Sequence, residues 1–159
     1  MKNPSKIIRS ENLTWPGLER KDYKTAGTGS GFGFDKISRY VLFGEREDES
    51  GLNMQTRFFE IGEGGYSSLE RHRHPHTVVI VKGRGSMILG DRVAELEPMD
   101  AVYIAPKTVH QFHADRGEAM GFLCVVDRYR DRPEIPKDAK ELQEWIPDPE
   151  VRKKARIRV

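Results

Sequence analysis

The amino-acid sequence predicts an all-β fold, either a sandwich or a closed barrel, over residues 36–132. Between residues 37 and 127 the chain consists of nine short runs rich in β-branched, aromatic and other apolar residues. Glycine or proline separates most of these runs, and many short strands at regular spacing are typical of sandwiches and barrels. The pair Gly90-Asp91 suits a tight hairpin turn. We therefore expect strands at 37–43, 53–61, 66–73, 76–82, 85–90, 92–96, 101–105, 109–114 and 119–127.

The segments on either side of these strands have a different character. Residues 1–35 form a weakly periodic N-terminal arm ending in the glycine-rich stretch 27–33, which we interpret as a loop because a strand follows it. Residues 133–159 predict a helical tail, with one helix at 138–145 and a second that has Asp148 as N-cap and a proline at its first position. We expect Trp145 and Ile146 to anchor this tail on the barrel exterior or on a second subunit.

Composition limits the classes of protein that this chain can represent. Its 159 residues suit one domain, and no apolar stretch approaches the roughly 20 residues of a membrane span. Lacking an export signal and having a single cysteine, the chain is expected in the cytoplasm. The net charge is only +2, and we interpret the run Arg128/Arg130/Arg132 as solvated surface. We therefore expect a small-molecule substrate and neither nucleic acid nor membrane as partner.

All five histidines lie in two short windows, residues 72–76 and 110–113. Side chains alternate between the two faces of a strand, so Glu70, His72 and His74 are expected to face the same way. The proline that follows should end the regular ladder, so that the last histidine of the window opens the next strand. Several imidazoles and a carboxylate around one enclosed space are costly to bury without a partner. The windows therefore predict a divalent metal rather than an exposed edge strand or core histidines.

Two residue spacings resemble the motifs of the cupin family. The first motif is a glycine, five residues, and then H-x-H-x3-E-x6-G; the matching positions are Gly64, Glu70, His72, His76 and Gly83. The second motif, a proline-rich turn that leads to the last metal histidine, is matched from Glu97 to His110. Together the matches lie within residues 53–127, about half of the chain.

The chain departs from the family pattern at several positions. Glu70 stands where the family has its first histidine, and His76 stands where it has glutamate, a replacement that some cupins share. Met99 and Lys107 occupy places where the second motif has glycines, and Ala114 stands where an asparagine is common. These departures affect the predicted loop shapes and leave the ligand histidines in place.

The resemblance implies a cupin double-stranded β-helix, a jelly-roll barrel, that binds one divalent transition metal per chain. Manganese, iron, nickel, cobalt and zinc are all compatible with imidazole and carboxylate ligands. The implied ligands are His72, His76 and His110, with Glu70 or His74 completing the set. Whichever of Glu70 and His74 is not a ligand is the nearest candidate general base.

Cys124 lies in the apolar run 121–126, which predicts a barrel strand. A lone buried cysteine is usually an inert small hydrophobe, and we favour that interpretation. The alternative is a thiol that faces the metal cavity and acts as nucleophile or acid. Methylsulfurylases, cupin enzymes of sulfur salvage, combine a metal with such a thiol.

Further residues are candidates for the pocket. Arg57 and Tyr66 are placed to meet an anionic substrate, since arginine offers a planar fork for carboxylate or phosphate. Phe112 shares the inward face with His110 and is expected to line the pocket, whereas His113 is expected at the surface or in a loop. Met87 and Tyr103 are candidate pocket walls, although plain core packing suits them equally.

These inferences favour a metal-dependent enzyme that acts on a small oxygen-rich substrate by Lewis-acid catalysis, of isomerase or lyase type. Alternatives are an oxygen-dependent dioxygenase, a non-catalytic ligand-binding cupin and a methylsulfurylase-like enzyme that uses Cys124. A storage barrel with vestigial histidines fits least. We also expect a homodimer, and the N-terminal arm is long enough to cross to the partner barrel.

Overall fold

A computed structural model describes residues 5–24 and 33–157 of the chain. Its strands are β1 (Lys21–Asp22), β2 (Asp35–Phe43), β3 (Met54–Tyr66), β4 (His76–Lys82), β5 (Gly85–Leu89), β6 (Arg92–Leu96), β7 (Ala101–Ile104), β8 (His110–Ala114) and β9 (Met120–Asp127). A 3₁₀ turn spans Glu47–Glu49, and two short helices, α1 (Ala139–Trp145) and α2 (Pro149–Arg152), follow the strands. No helix in the described ranges is long and apolar enough to cross a membrane.

The strands form one curled antiparallel sheet, in the order β6-β5-β8-β3-β9-β4-β7. The long strand β3 holds this sheet together because it pairs with β2, β8 and β9 at different points along its length. The sheet curls into the jelly-roll barrel predicted from the sequence. β5 and β6 are joined through Gly90-Asp91, with Leu89 paired to Arg92 across the predicted two-residue turn.

Period-two alternation along the strands directs one face of each strand into the barrel. The inward residues of β3 and β9 include Phe59 and Phe122, whose rings stack at 5.3 Å between centroids. Phe112 of β8 stacks on Phe122 at 4.7 Å. These three rings belong to a core cluster that continues into fully buried residues such as Ile80 and Met87.

The expected strand at 66–73 is the clearest difference from the prediction. After Tyr66 only isolated bridges form: the backbone of Glu70 exchanges both hydrogen bonds with His110, whereas Arg71 does so with Glu134. Neighbouring residues thus bond to different parts of the chain, and no ladder develops. β3 also extends beyond its expected end at residue 61, to Tyr66.

Two loops of the second motif keep a backbone shape that normally requires glycine. Met99 and Lys107, at the family's glycine positions, have φ values of 76° and 63°. A side chain in this left-handed region costs roughly 1–2 kcal/mol. The turns therefore persist without their glycines, at some cost in backbone strain.

The described part of the N-terminal arm packs on its own barrel. Trp15 is buried against the outer face of the sheet, with ring centroids 5.3 Å from Tyr40 and 5.0 Å from Phe58. Residues 5–24 thus contact their own barrel, and a reach of the arm to a partner barrel stays a prediction. Most of the glycine-rich stretch 27–33 lies outside the described residues.

The C-terminal tail also packs on the barrel. The side chain of Asp138 accepts a hydrogen bond from the backbone N–H of Glu141, and Asp148 caps α2 as predicted. Ile146 is fully buried in a cluster with barrel residues such as Leu69 and Ile88. The tail thus covers the outer side of the barrel near β8, the strand that carries His110.

Candidate metal centre and cavity

Three of the predicted ligands, His72, His76 and His110, converge inside the barrel. One ring nitrogen from each lies within 4.8 Å of those of the other two. The ring centroids are 5.1 Å apart for His72 and His76, and 4.9 Å for His72 and His110. β4 and β8 supply His76 and His110, and the irregular segment before β4 supplies His72.

Backbone carbonyls fix the orientation of two of these rings. Nδ1 of His72 lies 2.7 Å from the carbonyl oxygen of His74, and Nδ1 of His110 lies 2.9 Å from that of Thr108. A carbonyl can only accept, so each Nδ1 carries the proton and each Nε2 keeps a lone pair. Nε2 of His76 is buried without a hydrogen-bond partner among the described residues. The lone pairs of His72 and His110 and the unpartnered Nε2 of His76 in one enclosed space fit a divalent metal. Carbonyl partners of this kind are typical of the histidines that bind metals.

Burial keeps these imidazoles uncharged. It lowers the pKa of His72 to about 4, with added repulsion from His110, and lowers the pKa of His76 to about 2. Burial lowers the pKa of His110 as well. Neutral imidazole is the form that binds metal, so the cluster is ready for a cation at neutral pH.

Glu70, predicted as a ligand or base, lines the same cavity but binds other residues. Its carboxylate lies 2.6 Å from Nζ of Lys24 and also accepts a hydrogen bond from Ser68. Burial alone would raise the pKa of Glu70, but several smaller effects, led by the charge of Lys24 and including hydrogen bonds from Lys24 and Ser68, together outweigh it and hold the pKa at about 2. In this structure Glu70 is an ion-paired wall residue outside the three-histidine cluster.

His74, the other candidate for the fourth ligand, is held by an acid that the sequence analysis did not identify. Its Nδ1 lies 2.7 Å from the carboxylate of Asp131, which also accepts the backbone N–H groups of Arg73 and His74. The rings of His74 and His72 are stacked, with centroids 3.7 Å apart. His74 therefore lies on the cavity wall beside the cluster.

The cavity has a volume of about 450 Å³. The three stacked phenylalanines form part of its apolar wall, and the histidine cluster forms part of its polar wall. The wall is completed by β2, by Tyr23 and Lys24 of the arm, and by residues 130–135. This volume suits a small molecule rather than a polymer.

Cys124 is buried, as the favoured interpretation requires, and it also lines the cavity, the position that the alternative requires. Its side chain is 2% exposed, and Sγ lies 3.4 Å from Nδ1 of His76 and 3.4 Å from Nη2 of Arg57. The neighbours Leu123 and Val125 point to the other face of β9. The thiol is therefore part of the polar wall.

The structure sorts the remaining pocket candidates. Arg57 and Phe112 line the cavity, whereas its described wall does not include Tyr66, Met87 or Tyr103. Met87 is fully buried in the core beneath the cavity. Tyr103 is 62% exposed because its neighbours Val102 and Ile104 take the inward positions of β7.

Tyr66 lies close to His113, with ring centroids 6.2 Å apart, at the point where β3 and β8 pair. His113 was expected at the surface, but it is 7% exposed and belongs to β8. It faces away from the cavity, and burial, with repulsion from Lys154 and Arg156, lowers its pKa to about 4.

Some wall residues were missed or misinterpreted. Arg130 and Arg132, which we interpreted as solvated surface, line the cavity because residues 128–135 turn back across the barrel mouth. Asp131 and Glu134 hold this segment against the segment that carries His72. Arg39 also lines the cavity, and its alternation with Ile37 on β2 was a signal that could have identified it.

A jelly-roll barrel with an inward cluster of three histidines that could hold a metal ion defines a class of small barrel proteins. The model of the cupin domain matches residues 57–126. A 1-methylthio-D-xylulose 5-phosphate methylsulfurylase of Rhodospirillum rubrum is 43% identical over 125 residues, which cover 79% of this chain and 76% of that protein. The chain belongs to the cupin family.

Solved structures agree with this assignment. A cupin 2 conserved barrel domain protein from Rhodopseudomonas palustris is 39% identical, with a TM-score of 0.76 over 89% of this chain and 92% of that one. A cupin 2 domain-containing protein from Halorhodospira halophila is 38% identical, with a TM-score of 0.72 over 96% of each chain.

Proposed function

We propose that this protein is a metal-dependent enzyme that transfers the methylthio group of a phosphorylated 1-methylthio ketose to a thiol. The observation that carries the proposal is the place of Cys124, whose sulfur lies in the cavity wall 3.4 Å from His76 of the candidate metal cluster. The name of the 43% identical relative from Rhodospirillum rubrum supports the substrate class. Of the alternatives drawn from the sequence, the methylsulfurylase-like one is therefore preferred over isomerase, lyase and dioxygenase chemistry.

The candidate cofactor fits the donor set described above. His72, His76 and His110 would hold one divalent metal and leave further positions open, as catalytic sites do. When bound there, the metal supplies a Lewis acid for the ketone oxygen of the substrate.

Cys124 carries the covalent chemistry in this proposal. Its thiolate attacks the methylthio sulfur, an S–S bond forms, and the bond between that sulfur and C1 breaks. The electron pair remains on C1, delocalised into the adjacent ketone as an enolate, and a proton then adds to C1. The carbon is reduced by two electrons while the two sulfurs are oxidised to a disulfide. A small thiol from solution attacks the methylthio sulfur, forms a mixed methyl disulfide and releases the Cys124 thiolate.

Neighbouring side chains have separate tasks. The guanidinium of Arg57, with Nη2 3.4 Å from Sγ, places positive charge where the thiolate needs it. His74, held by Asp131 on the cavity wall, is the candidate proton donor to C1. Glu70 is less suited to that task because Lys24 and Ser68 already bind its carboxylate.

The test uses the fact that Cys124 is the only cysteine of the chain. Metal-loaded protein is incubated with 1-methylthio-D-xylulose 5-phosphate in the absence of thiol, and its intact mass is measured. We expect the protein to gain one methylthio group while one equivalent of the 1-deoxy ketose phosphate forms. Adding glutathione should remove the adduct and allow repeated turnover.

Cys124→Ser is the decisive variant, and its metal content serves as the folding control. It should bind metal like the wild type but give neither adduct nor deoxy ketose phosphate. Product formation by Cys124→Ser at the wild-type rate would overturn the thiol mechanism and favour Lewis-acid isomerase or lyase chemistry. Absence of adduct and product in the wild type, with every metal named above, would overturn the proposed function.

The homodimer expected from the sequence stays a prediction. The final strand on one side of the sheet, β7, exposes Tyr103, and the preceding turn exposes Met99, at 62% and 78%. Light scattering that shows only an 18.2 kDa species would contradict it.

A further inference from the structure

The charges of the cavity wall are strongly unbalanced. Among the described residues that line it, the cations are Lys24, Arg39, Arg57, Arg130 and Arg132, whereas the only carboxylate is Glu70. The ion pair with Lys24 already neutralises that carboxylate. Four guanidinium groups therefore remain around one cavity of about 450 Å³ without a compensating acid in its described wall.

The fold directs these arginines to the same space from three segments. Arg39 follows Ile37 by two residues on β2, and Arg57 precedes Phe59 by two on β3, so both share the inward face of paired strands. Arg130 and Arg132 come from the segment that crosses the mouth of the barrel.

The acid nearest to them in sequence, Asp131, does not neutralise this group. Its carboxylate is directed to the backbone N–H groups of Arg73 and His74 and to the imidazole of His74. The four guanidinium groups form no ion pair with any carboxylate of residues 5–24 and 33–157.

The arginines retain hydrogen-bonding capacity. Nε of Arg57 is buried without a partner among the described residues, an arrangement that is costly unless a ligand supplies an acceptor. Burial lowers the pKa of Arg130 to about 10, with added repulsion from Arg57 and Arg39. Burial and the charge of Arg57 also lower the pKa of Arg39. The group is thus held together against its own repulsion, and an anion would relieve it.

We propose that Arg39, Arg57, Arg130 and Arg132 form the subsite that binds the phosphate monoester of the substrate. The assignment rests on the proposed function, which supplies the phosphorylated ketose. A phosphate dianion offers both the charge and the several acceptor oxygens that planar guanidinium forks match. Arg57 contacts Cys124 as well, so it joins the phosphate end of the substrate to the sulfur end.

The test is a binding experiment in which no sulfur transfer is possible. D-xylulose 5-phosphate, D-xylulose and D-xylonate, none of which carries a methylthio group, are titrated calorimetrically into metal-loaded protein. The variants are Arg39→Gln and Arg130→Gln, which leave the neighbour of Cys124 intact. The matched control is Arg84→Gln, an exposed arginine outside the cavity wall. Metal stoichiometry is measured for each variant as the folding control.

We expect D-xylulose 5-phosphate to bind at least about tenfold more tightly than D-xylulose or D-xylonate. Each cavity variant should weaken binding of the phosphorylated ligand about tenfold or more, since it removes hydrogen bonds to a charged group, and should leave the affinity for D-xylulose unchanged. Arg84→Gln should change nothing.

Three outcomes would overturn the subsite. The cavity variants could weaken the binding of D-xylulose and D-xylulose 5-phosphate equally, or leave both affinities unchanged. The wild type could also fail to bind D-xylulose 5-phosphate. Preference for D-xylonate would replace phosphate with a carboxylate as the anion. These outcomes are independent of the methylthio adduct on Cys124, so the subsite and the proposed function can fail separately.

Discussion

In the metal-free protein, replacing His76 with leucine should raise the free energy of unfolding, although this residue is a candidate metal ligand. Burial lowers the pKa of His76 to about 2, so its imidazole is neutral at pH 7, and Nε2 is buried without a described partner. Such an orphaned group costs about 1–3 kcal/mol, which leucine removes. The lost contact between Nδ1 and the sulfur of Cys124, at 3.4 Å, offsets only a small part.

The expected net gain is about 1–2 kcal/mol, or roughly 2–8 °C in Tm for a chain of this length. With metal bound, the wild type should instead be the more stable of the two proteins. At a concentration of 100 times Kd, a ligand adds about 2.7 kcal/mol to the wild type, and His76→Leu should lose most of this gain. The variant should therefore be more stable than the wild type with chelator and less stable with metal.

Urea denaturation with chelator and with Mn²⁺ or Zn²⁺ measures both differences. His113→Leu is the matched control, because Nε2 of His113 is also buried without a described partner but lies outside the cavity. It should gain stability like His76→Leu and keep the full response to metal. If His76→Leu does not gain stability in chelator, His76 does not carry the cost of an orphaned buried group. If it keeps the metal response of the wild type, His76 is not a metal ligand.

Three further predictions concern the scaffold. Met99→Gly should raise the free energy of unfolding by about 0.5–1 kcal/mol, because relief of left-handed strain exceeds the backbone entropy that glycine loses. Met99→Ala should not raise it. A lower free energy of unfolding for Met99→Gly in chemical denaturation would contradict this prediction. Gly83→Ala should lower the free energy of unfolding by at least about 2 kcal/mol more than Gly64→Ala in the same assay. Both glycines have positive φ, but at Gly83 the added Cβ would also lie 1.9 Å from the carbonyl oxygen of Ala119. Equal costs for the two variants would contradict this clash. Burial would raise the pKa of Glu49, but hydrogen bonds from cationic side chains and from the backbone hold it at about 2. The contribution of Glu49 to stability is therefore present above pH 4.5 and is lost as the pH falls towards 2. Glu49→Gln should make the free energy of unfolding depend less on pH over that range, and an unchanged profile would contradict this.

The sequence predicted those strands best whose ends are marked by turn residues. β4 begins after Pro75 and ends before Gly83, and it was predicted with its exact bounds. The segment 66–73 failed because its composition is that of a strand, whereas its backbone bonds to two unrelated partners. Local pattern contains no information about such partners.

The candidate site was predictable to the extent that its residues lie in motifs. The spacing identified the three histidines, but it could not separate Glu70 and His74 from them, since that depends on Lys24 and Asp131, which are distant in sequence. Arg130 could not be identified as a cavity residue for a similar reason. It lies outside any strand, and no residue near it in sequence indicates that the chain turns back over the barrel mouth.

Strand β8 carries the cavity on one face and the C-terminal tail on the other. His110 belongs to the histidine cluster in the cavity, while the side chain of the next residue, Gln111, hydrogen bonds to both the backbone N–H and the carbonyl of Arg156, each within 2.8 Å. A fluctuation that frees the tail must therefore disturb the strand that holds a ligand. Cation binding in the barrel and amide hydrogen exchange near Arg156 thus report on the same opening event. A cation bound by the histidines should therefore slow exchange of the amides near Arg156.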